Sequence, residues 1–335
     1  MDLDVLIRNA RAPLSRGDTE SLFQSIFRGE LTETQLIAYL TATADRKPSV
    51  DELVGAVIAM RAHMRPVAAP PGAIDLCGTG GDGLGTLNIS TAVSFLVAAA
   101  GIPVAKHVNR SATSRSGAAD VLEALGVRIG LEPEVAARVL EKTGIVFLFA
   151  QTHHPAMRHV GAARRAIGRR TIFNLLGPLA NPAGVKRQVV GVFARQWVEP
   201  LAAVLGRLGA ERAWVVHGDG LDELTTTGPS LVAEWDGSAV RTFEVTPQQA
   251  GLSVATLADL KGGDAQHNAD ALRAVLDAQH MPLRDAVLLG AAAALVIADR
   301  APDLRRGVEL AAAAVDSGAA RGVLDKLVRI SNGAI

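Results

Sequence analysis

Residues 78–91 read GTGGDGLGTLNIST, and five of these fourteen positions are glycine. A glycine-rich turn leading into a helix exposes consecutive backbone N–H groups beside the positive end of the helix, which suits an anion such as phosphate. A tight turn needing positive φ is the plainer reading. Five glycines exceed what one turn requires, and Thr79, Thr86, Asn88, Ser90 and Thr91 add donors at the same place. Phosphate binding is therefore favoured. The run lacks the GK[ST] ending of a P-loop, and GxGxxG spacing at 78–83 is by itself a weak signal, so a dinucleotide or P-loop site is disfavoured. A second run, Lys106-His107-Val108-Asn109-Arg110-Ser111-Ala112-Thr113-Ser114, follows an apolar stretch with two cations and several hydroxyls. That composition suits a second phosphate if both runs end neighbouring strands. A third candidate is the carboxylate pair Asp222-Glu223 in HGDGLDELTTTG. Adjacent carboxylates are usually hydrated surface charge, but beside phosphate binders they become hard-oxygen ligands for Mg²⁺ shared with the substrate. His153 and His154 are adjacent rather than i, i+4 partners, and no cysteine lies near them, so no zinc pattern competes.

The surrounding elements place these runs. Residues 1–66 read as helices: Asp18 is a candidate cap, and Thr32/Gln35 and Ser49/Glu52 have capping-box spacing. Leu53, Val57 and Met60 then form one apolar stripe. PVAAPPG at 66–72 is a proline-rich break and the expected hinge. Beyond it apolar runs alternate with helical stretches: 74–77 then 91–100, 104–106 then 116–125, 145–150 then 155–167, 188–193 then 198–208, and 213–217. Helices return from about 265. This alternation predicts an α/β fold: a small N-terminal helical domain plus a larger α/β domain with a mostly parallel central sheet flanked by helices. The expected boundaries are 1–66 and 67–335. The three candidate runs then fall at strand carboxyl ends.

Bulk properties narrow the class. Lys+Arg and Asp+Glu stand at 34 each, so no global field favours nucleic acid or an anionic membrane. Hydrophobic residues make up 49% and aromatics 4%, as in helix-rich globular packing. The single cysteine, Cys77, excludes an internal disulfide and a CxxC site. The N-terminal residues show no signal-peptide pattern, and the apolar run at 287–298 is too short for a bilayer, so a cytoplasmic protein is expected.

Taken together, Gly78-Thr79-Gly80-Gly81-Asp82, Asn88-Ile89-Ser90-Thr91, Lys106-His107-x-Asn109-Arg110-Ser111 and Asp222-Glu223 resemble the anthranilate phosphoribosyltransferase family of tryptophan biosynthesis. The resemblance continues through HHPAM at 153–157, Arg164-Arg165 and TIFNLLGPLANP at 171–182, in family order over nearly the whole chain. It implies a homodimer formed through the helical domains, with residues around 165–185 packing against the helical part. It implies that Gly78, Gly81, Asp82, Thr86 and the run Asn88, Ile89, Ser90, Thr91 hold phosphoribosyl pyrophosphate. Lys106 to Ser114 would wrap its ribose and phosphates, with Ala118 beside them. Gly78, Asn109 and Arg164 would meet anthranilate, the arginine facing its carboxylate. Ser90, Asp222 and Glu223 would ligate Mg²⁺. No catalytic acid or base is assigned.

The chain departs from that pattern in places. Val108 replaces the glycine of KHGNRS, and Ala118 stands where serine is common. HGDGLDE is one residue shorter than HGEDGLDE, and Gly290 replaces a common asparagine. If the glycine at 108 serves positive φ, valine would strain or displace the loop. If it serves space, valine would crowd the substrates. Alternatively valine points into the sheet and nothing changes. Two other readings stay open: a pyrimidine nucleoside phosphorylase, in which the carboxylate pair would be idle, and a non-enzymatic nucleic-acid-binding relative, which the zero net charge opposes.

Overall fold

The computed structural model describes residues 2–110 and 115–333. Ser111, Ala112, Thr113 and Ser114 lie outside the described residues. Four helices come first: α1 (Leu3–Asn9), α2 (Arg16–Phe27), α3 (Glu33–Ala44) and α4 (Val50–Ala62). The capping boxes at Thr32/Gln35 and Ser49/Glu52 both form. The cap of α2 is Ser15, not Asp18. Its Oγ accepts the Asp18 N–H at 3.1 Å, and Asp18 instead places its charge in the first turn, where the helix dipole favours it.

Strand and helix then alternate through β1 (Ile74–Gly78), α5 (Ile89–Ala99), β2 (Val104–Val108), α6 (Ala118–Ala124), α7 (Pro133–Thr143) and β3 (Ile145–Phe149). The single helix expected over 155–167 is broken. After α8 (Ala150–His153), residues Pro155–His159 form a 3₁₀ turn, with Met157 and Val160 each bonding three residues back, before α9 (Gly161–Ile167). Proline at the start of the turn and Gly161 at its end both work against one continuous helix. Next come α10 (Phe173–Leu176), β4 (Arg187–Gly191), α11 (Val198–Arg207) and β5 (Arg212–Gly218). A hairpin of β6 (Ser230–Trp235) and β7 (Val240–Val245) follows, then α12 (Ala265–Leu276), α13 (Pro282–Ile297), α14 (Leu304–Asp316) and α15 (Ala319–Ser331).

The described strands form one seven-stranded sheet in the order β3-β2-β1-β4-β5-β6-β7. The first five are parallel and the hairpin is antiparallel. Strand order reverses between β1 and β4, and the crevice outside the carboxyl ends at such a point is where ligands gather in open α/β sheets. Helices α5 and α12 to α15 cover one face. The other face is covered by α11, and the N-terminal helices join residues 160–180 in the same apolar cluster. Phe173 packs its ring 5.4 Å from that of Phe23, and the Arg61 side chain donates to the Leu179 carbonyl at 2.7 and 3.0 Å. Burying each such aromatic is worth about 1.5–3 kcal/mol, so α2, α4 and α10 are fixed to one another. Among the described residues no helix is long and apolar enough to cross a membrane.

Candidate active site

A cleft of about 520 Å³ opens at the carboxyl ends of β1, β2 and β5. It is lined by Gly78, Gly81, Asp82, Thr86, Asn88, Ser90, Thr91, Lys106, His107, Val108, Asn109, Arg110, Ala118, Arg164, Asp222 and Glu223. Of the described candidates only Ile89 is absent from the lining; it is 1% exposed, its side chain belonging to the core under α5.

The glycines answer two different demands. Gly80, Gly81, Gly83 and Gly85 have φ of 64, 80, 79 and 62°, the left-handed region that side chains disfavour. Gly78 is needed for room: a Cβ there would lie 2.3 Å from Asp222 Oδ2. The same loop presses on two further strand ends, since a Cβ on Gly191 would meet the Asp222 carbonyl oxygen at 1.6 Å and one on Gly218 the Glu223 carbonyl oxygen at 2.6 Å. Missing side chains at the ends of β1, β4 and β5 let the carboxylate loop sink into the crevice.

There the carboxylates bind the backbone of the glycine run. Asp222 Oδ2 accepts the Gly80 N–H at 2.6 Å, and Glu223 Oε1 accepts the Ser90 N–H at the start of α5 at 3.1 Å. Desolvation pushes the Asp222 carboxyl well above the usual carboxylate range, helped by the charges of Glu223 and Asp82. Desolvation also raises Glu223, while Lys106 and Ser90 draw it down. Lys106, 2% exposed, donates to the Leu76 carbonyl and to Ser90 Oγ at 3.1 Å. Crowded, partly desolvated carboxylate oxygens beside a serine hydroxyl are the hard donors that a magnesium-like cation prefers. Among the described residues no group of three or more His, Cys, Asp or Glu side chains forms a metal cage.

On the opposite wall, His107 Nδ1 lies 2.9 Å from the Gly177 carbonyl, a contact only the Nδ1–H tautomer can make. Its ring sits 5.0 Å from that of His154, and the Nε2 atoms of both are buried without a protein partner. Desolvation lowers the His107 pKa and holds His154 down to about 3, so both rings are neutral acceptors at neutral pH. Of the five arginines over 158–170, Arg164 and Arg170 line the cleft. Arg164 lies over the Phe173 ring at 5.7 Å, and desolvation lowers its pKa. Arg110 commits its guanidinium to Asp120 at 2.6 Å and Glu123 at 2.8 Å.

Val108 keeps an ordinary strand backbone, paired in register with Phe149 and 4% exposed. Positive φ among the described non-glycine residues occurs only at Asp219, Ala278 and Asp299. Backbone strain at 108 is therefore ruled out, because the strand simply continues through the valine. Several supports were missed in the sequence. Asp75, wholly buried in β1, accepts the His107 N–H at 3.1 Å and the Asn181 side chain at 2.7 Å. A lone acid inside the apolar run AIDLC was the signal. Asn268 donates to Asn88 Oδ1 at 2.9 Å, and Leu260 and Gly262 bond the backbone of Leu87 and Gly85. No local pattern announces those.

Comparison with known proteins agrees with this geometry. The family model described as "Glycosyl transferase family, a/b domain" matches residues 70–321, and the helical bundle domain of the same family matches 6–64. Anthranilate phosphoribosyltransferase of Beijerinckia indica is 59% identical over 95% of this chain and 94% of its own. The chain belongs to the anthranilate phosphoribosyltransferase family. A Bradyrhizobium member is 58% identical over 96% of each chain. The Thermus thermophilus anthranilate phosphoribosyltransferase structure superposes with a TM-score of 0.93 at 40% identity, covering 98% of this chain and 99% of its own. The Saccharomyces cerevisiae enzyme in complex with PRPP and Mg has a TM-score of 0.91 at 25% identity, covering 98% of both chains.

Proposed function

We propose that this protein transfers the phosphoribosyl group of 5-phosphoribosyl 1-pyrophosphate to the amine of anthranilate, releasing pyrophosphate, as a step of tryptophan biosynthesis. The observation that carries this reading is the junction of Asp222 with the Gly80 N–H and of Glu223 with the Ser90 N–H. It joins a cation-binding pair to an anion-receptive loop in one cleft. A nucleoside phosphorylase or a nucleic-acid-binding relative has no use for that junction.

In this reading the N–H groups of residues 81–83 receive the pyrophosphate, and Lys106 and Asn88 lie beside the ribose. Ser90, Asp222 and Glu223 would hold Mg²⁺, which when bound supplies positive charge against the departing pyrophosphate. Donors aimed at a leaving group stabilise it more as its charge grows, and one such contact is worth about 10²–10³ in rate. Arg164 and Asn109 hold anthranilate with its amine toward C1 of the ribose, which makes attack effectively intramolecular. An aryl amine is neutral at pH 7 and needs no strong base. Two units, 1–66 and 67–335, with 165–185 packed on the first, and pairing of two copies through the helical layer complete the reading. Loss of anthranilate fluorescence in the presence of the donor and Mg²⁺, against a no-metal control, tests it. No loss with any divalent cation would overturn it.

A further inference from the structure

Arg169 and Arg170 are neighbours that reach in opposite directions. Arg169 pairs with Asp45 at 2.7 Å and donates to the Thr41 carbonyl at 3.3 Å, at the end of α3. Arg170 donates Nη2 to the Gly81 carbonyl, and its guanidinium carbon lies 4.2 Å from the Phe193 ring centroid. The Phe193 N–H in turn donates to Thr79 Oγ1 at 3.0 Å, and the Thr79 N–H to the Gly191 carbonyl at 2.9 Å. These contacts close a circuit: the glycine loop is gripped at 79 by the end of β4 and at 81 by an arginine whose plane β4's exit supports. Neither Arg170 nor Phe193 has a role in the reading above.

We propose that Arg170 is a positioning residue that holds the glycine loop in its phosphate-receiving form, and that Arg169 ties this grip to the helical layer. Peptide planarity supplies the reason. With the Gly81 carbonyl held toward Arg170, the N–H of Asp82 on the same trans peptide points the opposite way. Gly81, with positive φ, otherwise leaves one side of this peptide unrestrained, since its plane turns on ψ of Gly81 and φ of Asp82. A rotated peptide would present its carbonyl oxygen, and so a partial negative charge, where the N–H had been. The cation–ring contact fixes the guanidinium plane, which a lysine could not reproduce.

The inference rests on the donor site proposed above, and the test separates the two. Wild type, Arg170→Ala, Arg170→Lys and Phe193→Leu are compared by calorimetric binding of pyrophosphate with Mg²⁺, and by KM for each substrate. Arg170→Ala is expected to weaken pyrophosphate and raise donor KM about tenfold, the loss of one charge-assisted hydrogen bond, with anthranilate KM within about twofold. Arg170→Lys should recover only part of this, and Phe193→Leu should show a smaller loss in the same direction. If Arg170→Ala does not fold, Phe193→Leu carries the same comparison. Unchanged pyrophosphate affinity in the variants, full recovery by lysine, or an equal rise in both KM values would overturn the inference while leaving the donor site standing. Failure of the wild type to bind pyrophosphate would bring down both.

Discussion

At Val108 the chain carries a β-branched residue where the resembling family places glycine, and the strand accepts it without positive φ. What the isopropyl group still does is occupy space, since it lines the cleft while being 4% exposed. Val108→Gly is expected to raise kcat/KM a few-fold and to lower stability by about 2–4 kcal/mol, through lost packing and glycine entropy. Thermal melting and initial rates check both halves, and unchanged kinetics for both substrates would leave the valine a packing residue only. Arg164 stands over Phe173 in the cleft wall with no acid paired to it among the described residues. Arg164→Ala should raise anthranilate KM by the equivalent of about 1.5–3 kcal/mol, with donor KM little changed. Equal losses for the two substrates would assign this arginine to folding instead. Asp222 and Glu223 are forced together and partly desolvated, so their joint charge is sustained best by a cation. Asp222→Asn with Glu223→Gln should cut turnover at limiting Mg²⁺ by about two orders of magnitude and weaken Mg²⁺ binding measured with pyrophosphate present.

Elements were legible in proportion to how locally they are determined. Capping boxes at Thr32/Gln35 and Ser49/Glu52 need only four residues each, and both are formed. The glycine run and the Asp222-Glu223 pair were readable because backbone conformation and charge are written in adjacent positions. The β6–β7 hairpin is less legible, although Asp236-Gly237 stands in the turn between two strand-like runs and Gly237 has φ of 100°. Helix α7 falls outside the alternation read from the sequence, despite Pro133 at its start and Gly144 in the left-handed conformation at its end. Less visible still was the demand that one element places on another. Gly191 looks like an unremarked strand residue until the Asp222 carbonyl is found against its α-carbon. Gly191→Ala must displace that loop. It is expected to cost about 1–3 kcal/mol of stability and to weaken Mg²⁺-dependent pyrophosphate binding as well. A variant that melts lower yet binds pyrophosphate as before would show that the strand, and not the loop, gives way.

For the molecule as a whole, pH acts through groups that the fold keeps neutral. His154 has its pKa held near 3 in the folded chain against an ordinary value of 6.5. Between those values the unfolded chain binds a proton that the native one refuses, so stability is full above pH 6.5 and falls as pH drops toward 3. The slope from this one residue is at most about 1.4 kcal/mol per pH unit. His107, also lowered, adds in the same direction. The raised carboxyls of Asp222 and Glu223 act oppositely, their contribution being present at low pH and lost as pH rises. Melting temperatures across pH 4–7 should therefore decline with acidification, and less steeply in His154→Gln; an identical slope in that variant would remove the histidine from the account. The same contacts that assemble the cleft also set an order in time. Gly80 meets Asp222 across 142 positions of sequence, Ser90 meets Glu223 across 133, and the glycine run is finally held down by residues 260–262. Closing such long loops is slow, and chains fold from the amino end as they are made. During synthesis the helical layer and the first three strands can form while the phosphate loop still lacks its partners. The nascent chain thus carries an exposed glycine run that matures only when the last third has emerged.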